Sequence, residues 1–341
     1  MEKKVDYSLR VEMTNMEKLT DIKREKGKVG FVDKSVWITL LILLVLPFLI
    51  SKPLATEILI YGLFALAFNL LLGHTGVLSF GHAAYFGVGA YAGGMALRYF
   101  HVSVWTSLVV AMVVTALVAA GIGILAIKRK GVYFAMISLA FAQMFYFMAL
   151  SPFKKWTGGE DGLKFIPILK LEFPFHVDLT SALPLYYFTY FVVGLAIIAL
   201  WRILDSPFGR VLKAIRENEV RTRATGFNVN KAKFLSLVIS GSFSGLAGAL
   251  FTVYLGYGSL MTLFWMTSGS ILMMTLLGGM HTFIGPVVGV GVFMYLQNTI
   301  SVYTDRWQLF VGALFVVLVL FFPDGLVGTI KMKYRERKSR A

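Results

Sequence analysis

Long apolar stretches, interrupted by short polar intervals, recur from Val36 to Phe322. Stretches of this length read as membrane-crossing helices, and their repetition leaves little chain for anything else. The expected crossings are Val36–Ile50, Leu54–Leu72, Gly73–Gly94, Ser103–Ile127, Val132–Leu150, Leu183–Leu204, Phe234–Tyr257, Thr262–Met280, Gly285–Tyr303 and Trp307–Phe322. The fold class expected is therefore all-α, a polytopic integral membrane helix bundle with about ten transmembrane crossings. Only 15% of residues are charged and 57% are hydrophobic, far from the balance of a water-soluble chain of 341 residues.

The placement of the net +15 charge sets the orientation. Residues 1–34 carry nine Lys/Arg against seven Asp/Glu, Lys128 to Lys130 are three basics, Arg202 to Lys233 carries eight against three, and the end after Pro323 six against two. The interval Pro152–Ala182 balances four with four. Starting inside, four, six and ten crossings return the chain to each basic interval in turn, so the N- and C-termini are expected to be cytoplasmic. The domain reading is a charged tail over 1–34, a transmembrane domain over 35–325 with an external loop over about 152–182, and a basic tail over 326–341. The leader before the first crossing is long and partly acidic with no small-residue cleavage site after it, so that crossing reads as an uncleaved anchor. Basic charge spread in this way marks membrane topology; nucleic acid is not an expected partner. Absence of cysteine excludes disulfides and thiolate metal sites.

Two segments differ from ordinary lipid-facing helices. Gly73–Gly94, GHTGVLSFGHAAYFGVGAYAGG, is dominated by small residues, so its backbone is expected to break at Gly73–Gly76 and to pack closely beyond. Gly89 and Gly93 form one small-residue pair, and Gly241, Gly245 and Gly248 in SGSFSGLAGAL are spaced for another close helix contact. The second segment is Ser206–Lys233. Ser206 reads as an N-cap, Pro207 as the first helical residue and Gly226 as the terminator. Phe208, Val211, Leu212 and Ile215 recur at spacings of three and four, with Arg210, Lys213, Glu217 and Arg221 opposite them. The pattern fits a basic loop lying on headgroups or a docking helix for a soluble partner.

No Asp or Glu lies mid-span; Glu57 and Asp305 are at edges. Ion-coupled carriers tolerate the cost of such groups for function, so the energy for any transport is expected from elsewhere. The sequence contains no phosphate-cradling GxxxxGK[ST] loop, no HExxH and no GxSxG, so no catalytic and no metal residues are assigned.

Four motifs in order carry a resemblance: AFNLLLGHTGVLSFGHAAYFGVGAYAGG at Ala67–Gly94, WTGGEDGL at Trp156–Leu163, AIRENEVRTRATGFNVNKAKFLSLVISGSFSGLAGAL at Ala214–Leu250, and LLGGMHTFIGPVVG at Leu276–Gly289. Together they resemble the LivM-type permease subunit of branched-chain amino acid ABC transporters over roughly residues 54–325. The departures are Arg221 and Thr222, where the family has small residues, and GGEDGL where it commonly has GGSDGL.

The resemblance implies an importer permease, not an enzyme, with four kinds of partner: a second homologous permease, two ATPase subunits, an extracytoplasmic substrate-binding protein and an amino-acid substrate. No cofactor belongs to this chain; ATP and Mg would sit on the ATPase subunits. It also implies that the segment 206–226 is the coupling helix, with Arg210, Lys213, Arg216, Glu217, Asn218, Glu219 and Gly226 meeting the ATPase. By position and polarity, Asn69, Ser79, His82 and Tyr85 are the pathway candidates for an alternating-access cycle. The alternatives are the same machinery carrying urea, short amides or another amino acid, and an ATP-independent channel or secondary carrier; a membrane-bound enzyme lacks any catalytic constellation.

Overall fold

The computed structural model describes residues 34–164, 179–322 and 324–329. Residues 1–33 of the expected charged tail over 1–34, residues 165–178 of the expected external loop and residues 330–341 of the expected basic tail over 326–341 lie outside those residues. The chain divides into two units, 1–41 and 42–341. In the first, the described part is the start of α1 (Lys34–Leu49).

The second unit holds α2 (Lys52–Asn69), α3 (His82–Phe100), α4 (Val104–Ala126), α5 (Val132–Leu150), the short α6 (Lys154–Thr157), α7 (Ala182–Asp205), α8 (Pro207–Glu217), α9 (Glu219–Ala224), α10 (Val229–Leu255), α11 (Trp265–Gly278), α12 (Gly285–Tyr303) and α13 (Trp307–Phe321). Every expected crossing therefore carries a helix. Among the described residues, five stretches are long and apolar enough to span a membrane by length and composition: Lys52–His74, α4, α5, α7 and α10. Val36–Leu49 and α11 are shorter apolar helices.

Burial ranks these helices. In its most apolar window α2 is 89% buried by the chain's own atoms, whereas α5 is only 28% buried. Val109, Val113, Leu117 and Ile124 of α4 and Tyr133, Met136 and Phe147 of α5 face outward. A helix that is apolar all round, yet leaves such residues uncovered, is solvated by lipid or by another protein, not by water.

The centre is α10 against α2, α3 and α4. A Cβ built on Gly89 would fall inside the backbone of Gly245, one on Gly248 would meet the Phe86 carbonyl, and one on Gly245 would strike Thr115 of α4. Gly93 faces Ala249 and Gly241 faces Ala119. Backbones this close also exchange hydrogen bonds: Thr252 Oγ1 donates to Ala90 O at 3.0 Å and Ser242 Oγ to Met112 O at 3.2 Å. In lipid, where apolar burial gives no net drive, such close packing supplies the cohesion between helices.

Two expectations are corrected. The glycine-rich crossing begins at His82 and runs to Phe100, and the backbone break extends from Leu70 to Gly81. There α2 loosens into a π turn over Leu70–His74, and Gly76 takes a left-handed φ of 76°, which a side chain would resist. The amphipathic segment is likewise two helices. Asn218 is extended (φ −158°, ψ 103°), ends α8, and caps α9 by accepting the Arg221 N–H at 2.9 Å.

At the end of the bundle away from α8, the described start of the expected external loop is pinned. Leu163 and Gly258 exchange backbone hydrogen bonds of 2.8 and 2.9 Å, Arg98 Nη1 donates to Lys164 O at 2.6 Å, and Tyr99 Oη donates to Trp156 O at 3.0 Å. Glu160 and Asp161 stay exposed, and Asp161 pairs with Lys164 at 2.9 Å.

Candidate functional site

The polar groups of the second unit gather in two linked places: the underside, where α8 and α9 meet the turns between helices, and the break between α2 and α3.

On the underside, Ser206 caps α8 by accepting the Gly209 N–H, and Pro207 opens it. Leu212 and Ile215 are buried against the bundle, while Arg210, Lys213, Glu217 and Asn218 are exposed. Gly226 ends the segment with φ 90° and nothing near its missing Cβ. Arg216 and Glu219 do not share the exposed face. Arg216 Nη1 reaches the Gly73 carbonyl in the break after α2, and lies 3.2 Å from His281 Nδ1 in the α11–α12 turn. Since guanidinium has no lone pair to offer, His281 must accept there and carry its proton on Nε2. A cation on the last free carbonyls of a helix also complements its dipole.

Glu219 holds three cations: Lys233 Nζ at 2.9 Å, Arg223 Nη2 at 3.1 Å and Lys130 Nζ at 3.2 Å. These come from α10, α9 and the α4–α5 hinge. Burial works against the ionised carboxylate, but the bonds and charges of Lys233 and Lys130 outweigh it and hold the Glu219 carboxyl below its ordinary value.

At the break, Asn69 Nδ2 donates to Thr282 O at 3.2 Å and His74 Nδ1 donates to Asn69 O at 3.2 Å. A Cβ built on Gly73 would strike Met280 O and the Asn69 amide oxygen, so only glycine fits. Above it, the free N–H groups at the start of α3 are met by serines: Ser138 Oγ takes the Phe80 N–H at 3.0 Å, Ser79 Oγ the Gly81 N–H at 3.1 Å and Ser268 Oγ the Ala83 N–H at 2.7 Å. Without these partners a helix start surrounded by protein would leave costly orphan donors.

His82 is fully buried, with its ring edge-on to Phe68 at 4.8 Å and Tyr85 at 5.3 Å. Ser240 Oγ donates to Ala67 O at 2.6 Å, so it accepts from His82 Nε2 at 2.8 Å. That leaves His82 Nδ1 a bare acceptor. Among the described residues it has no partner, and neither have Asn69 Oδ1 and Tyr85 Oη. Each such buried atom costs about 1–3 kcal/mol until something bonds it.

Of the four pathway candidates, the structure brings His82 and Tyr85 side by side, places Ser79 at the same helix start, and joins Asn69 instead to the α11–α12 turn. Sequence reasoning missed Ser138, Ser240, Ser268, His281, Lys130 and Lys233. A lone serine in an apolar helix is the signal that could have found the first three.

The family described as "Branched-chain amino acid transport system / permease component" matches residues 52–320. The chain is 26% identical over 318 residues to the high-affinity branched-chain amino acid transport system permease protein LivM of Salmonella typhimurium, covering 86% of this chain and 75% of that one. The LivM protein of Escherichia coli is 26% identical over 319 residues with the same coverage. The ribose import permease protein RbsC of Haemophilus influenzae is 30% identical over 149 residues, 41% of this chain and 46% of that one. No solved structure matches.

Proposed function

As the chain belongs to the family of branched-chain amino acid transport system permease components and is a multi-pass protein of the cell membrane, we propose that it is one of two permeases in an ATP-driven importer of branched-chain amino acids. It crosses the membrane about ten times with both ends in the cytoplasm, pairs with a second permease, and receives cargo from an extracytoplasmic binding protein. Two ATPase subunits grip α8 and α9 through Arg210, Lys213, Glu217 and Asn218, which are exposed. They hydrolyse the ATP; this chain supplies the conduit.

The observation that carries the reading is Arg216. It joins α8 to the Gly73 carbonyl, where α2 breaks, and to His281 of the next inner turn. A displacement of α8 by the ATPases is thereby delivered to the discontinuity that leads to His82. As the helices part, a passing solute meets the unpartnered polar atoms of Asn69, His82 and Tyr85, with Ser79 beside them. In the closed packing all four side chains are at most 1% exposed, so access requires that movement.

The test is uptake by the assembled transporter in proteoliposomes with its ATPases and binding protein. ATP-dependent accumulation of leucine is expected, with Glu217→Ala losing uptake and stimulated ATP hydrolysis while the chain inserts normally. Leucine flux through this chain without ATPases would refute the ATP-driven mechanism. The partial similarity to a ribose permease gives a second cargo reading, and competition of leucine uptake by ribose or urea decides between them.

A further inference from the structure

Apart from Asp205 at the last residue of α7, Glu57 is the single carboxylate within the five membrane-competent stretches. It lies about one turn into α2, at the end of the bundle away from α8, and is half-buried. Tyr61 follows one turn later on the same face. From α10, Tyr254 Oη lies 3.4 Å from Glu57 Oε1 and Phe251 sits one turn earlier. The rings continue inward without a gap: Tyr61 is 5.6 Å from Phe251 and 5.7 Å from Phe86, and Phe86 is 4.5 Å from Phe64. A carboxylate thus stands at the rim of an aromatic wall built from α2, α3 and α10.

Packing alone does not account for it. Among the described residues, no Lys, Arg or His comes within ion-pair distance of Glu57. The tyrosine contact is longer than a closed O–H···O bond. A half-buried carboxylate against aromatic rings, with most of its acceptor capacity unused, calls for a cation.

We propose that Glu57, Tyr61, Phe251 and Tyr254 form an entry site that takes the ammonium group of an amino acid on the carboxylate and tyrosine faces and its apolar side chain on Phe251. This rests on the amino-acid cargo and the orientation proposed above. An ammonium satisfies the carboxylate directly and gains from nearby ring faces; a neutral sugar brings no positive charge to it. The site accordingly separates amino-acid cargo from the sugar named for the partial relative.

The experiment is equilibrium binding of labelled L-leucine and of its 2-hydroxy analogue, 2-hydroxy-4-methylpentanoate, to the two permeases with their ATPases in nanodiscs, the binding protein being left out so that its own leucine site does not contribute. Wild type is compared with Glu57→Gln and Tyr254→Phe, with basal ATP hydrolysis as the check on assembly. Glu57→Gln is expected to weaken leucine about 10-fold or more, the scale of a charge-assisted hydrogen bond, and the analogue far less, so that the leucine preference collapses. Tyr254→Phe keeps that preference. Unchanged leucine binding in Glu57→Gln, or equal weakening of both ligands by both substitutions, overturns the site and leaves the cargo reading standing. Wild type that binds ribose but not leucine overturns both. Should Glu57→Gln fail to assemble, Glu57→Asp keeps the charge one methylene shorter, and an unaltered leucine-to-analogue ratio there overturns the site.

Discussion

Replacing Glu219 with glutamine removes one charge from a carboxylate that three cations share, and the structure gives the size of the loss. Lys130 and Arg223 are 63% and 57% exposed, so their pairs are screened and contribute about 0.2–1 kcal/mol each. Lys233 is only 10% exposed against a carboxylate 18% exposed, so its 2.9 Å bond is worth about 1.5–3 kcal/mol. Glutamine keeps one acceptor, which makes about 2–3 kcal/mol the expected destabilisation of α9 on the bundle.

The reporter is a thiol, since the chain has no cysteine of its own. Thr222 of α9 is 4% exposed, and a Thr222→Cys side chain is labelled only when the segment lifts. A change of 2–3 kcal/mol raises that labelling rate roughly 30- to 150-fold, while Glu217→Gln, at an exposed position, leaves it alone. The pH dependence has a definite sign. The folded-state pKa of Glu219 is depressed from its ordinary 4.5, so its contribution is complete above that value and lost as pH falls through the folded one. Measured relative to a cysteine at an exposed position, which cancels the thiol's own titration, labelling should be flat from neutral pH down to about 5 and rise below it. Equal rates in the Glu219→Gln and parent chains would show that the three cations do not hold α9 down, and the reasoning would fail.

Arg216→Ala removes a charged donor from the Gly73 carbonyl and leaves His281 without its partner. Uptake should fall about 10-fold or more while the docked ATPases still hydrolyse ATP, and Arg216→Lys, which lacks the fork, should recover only part; parallel loss of both activities would argue for simple misfolding. Gly248→Ala should cost at least about 1–3 kcal/mol, because the new methyl meets the Phe86 carbonyl rather than a yielding side chain. Gly121→Ala, in α4 with nothing within 4 Å of the added carbon, should be neutral or stabilising by up to about 1 kcal/mol. Thermal unfolding in detergent compares the two, and a Gly248→Ala chain that melts with the parent would contradict the close α3–α10 approach.

The helices were legible because lipid solvation demands long uninterrupted apolar runs, and those runs are written locally in the chain. The small-residue spacing at Gly89, Gly93, Gly241, Gly245 and Gly248 was legible for the same reason, as each lies within one helix. What the sequence does not state is which distant side chain completes a backbone break. Ser138 and Ser268 cap the start of α3 from 58 and 185 residues away along the chain, and no periodicity encodes such a meeting. The break at Asn218 was missed because the four-residue charge spacing of Lys213, Glu217 and Arg221 continues through it; only the Asx cap, a local competition between side chain and helix, marks the stop.

The same non-local contacts explain why the charges of the amphipathic segment divide between the bundle and the exposed face. Arg216 and Glu219 are three residues apart, and each faces the bundle, at Gly73 and at Lys233 respectively. Between them Glu217 and Asn218 stay exposed, because the extended Asn218 turns α9 away from the direction of α8. A continuous helix would put Arg216 and Glu219 on one face and could not anchor α2 and α10 separately. The kink therefore lets one short segment keep an outward charge while it grips two membrane helices, and relative motion of those two helices is what any opening between them requires.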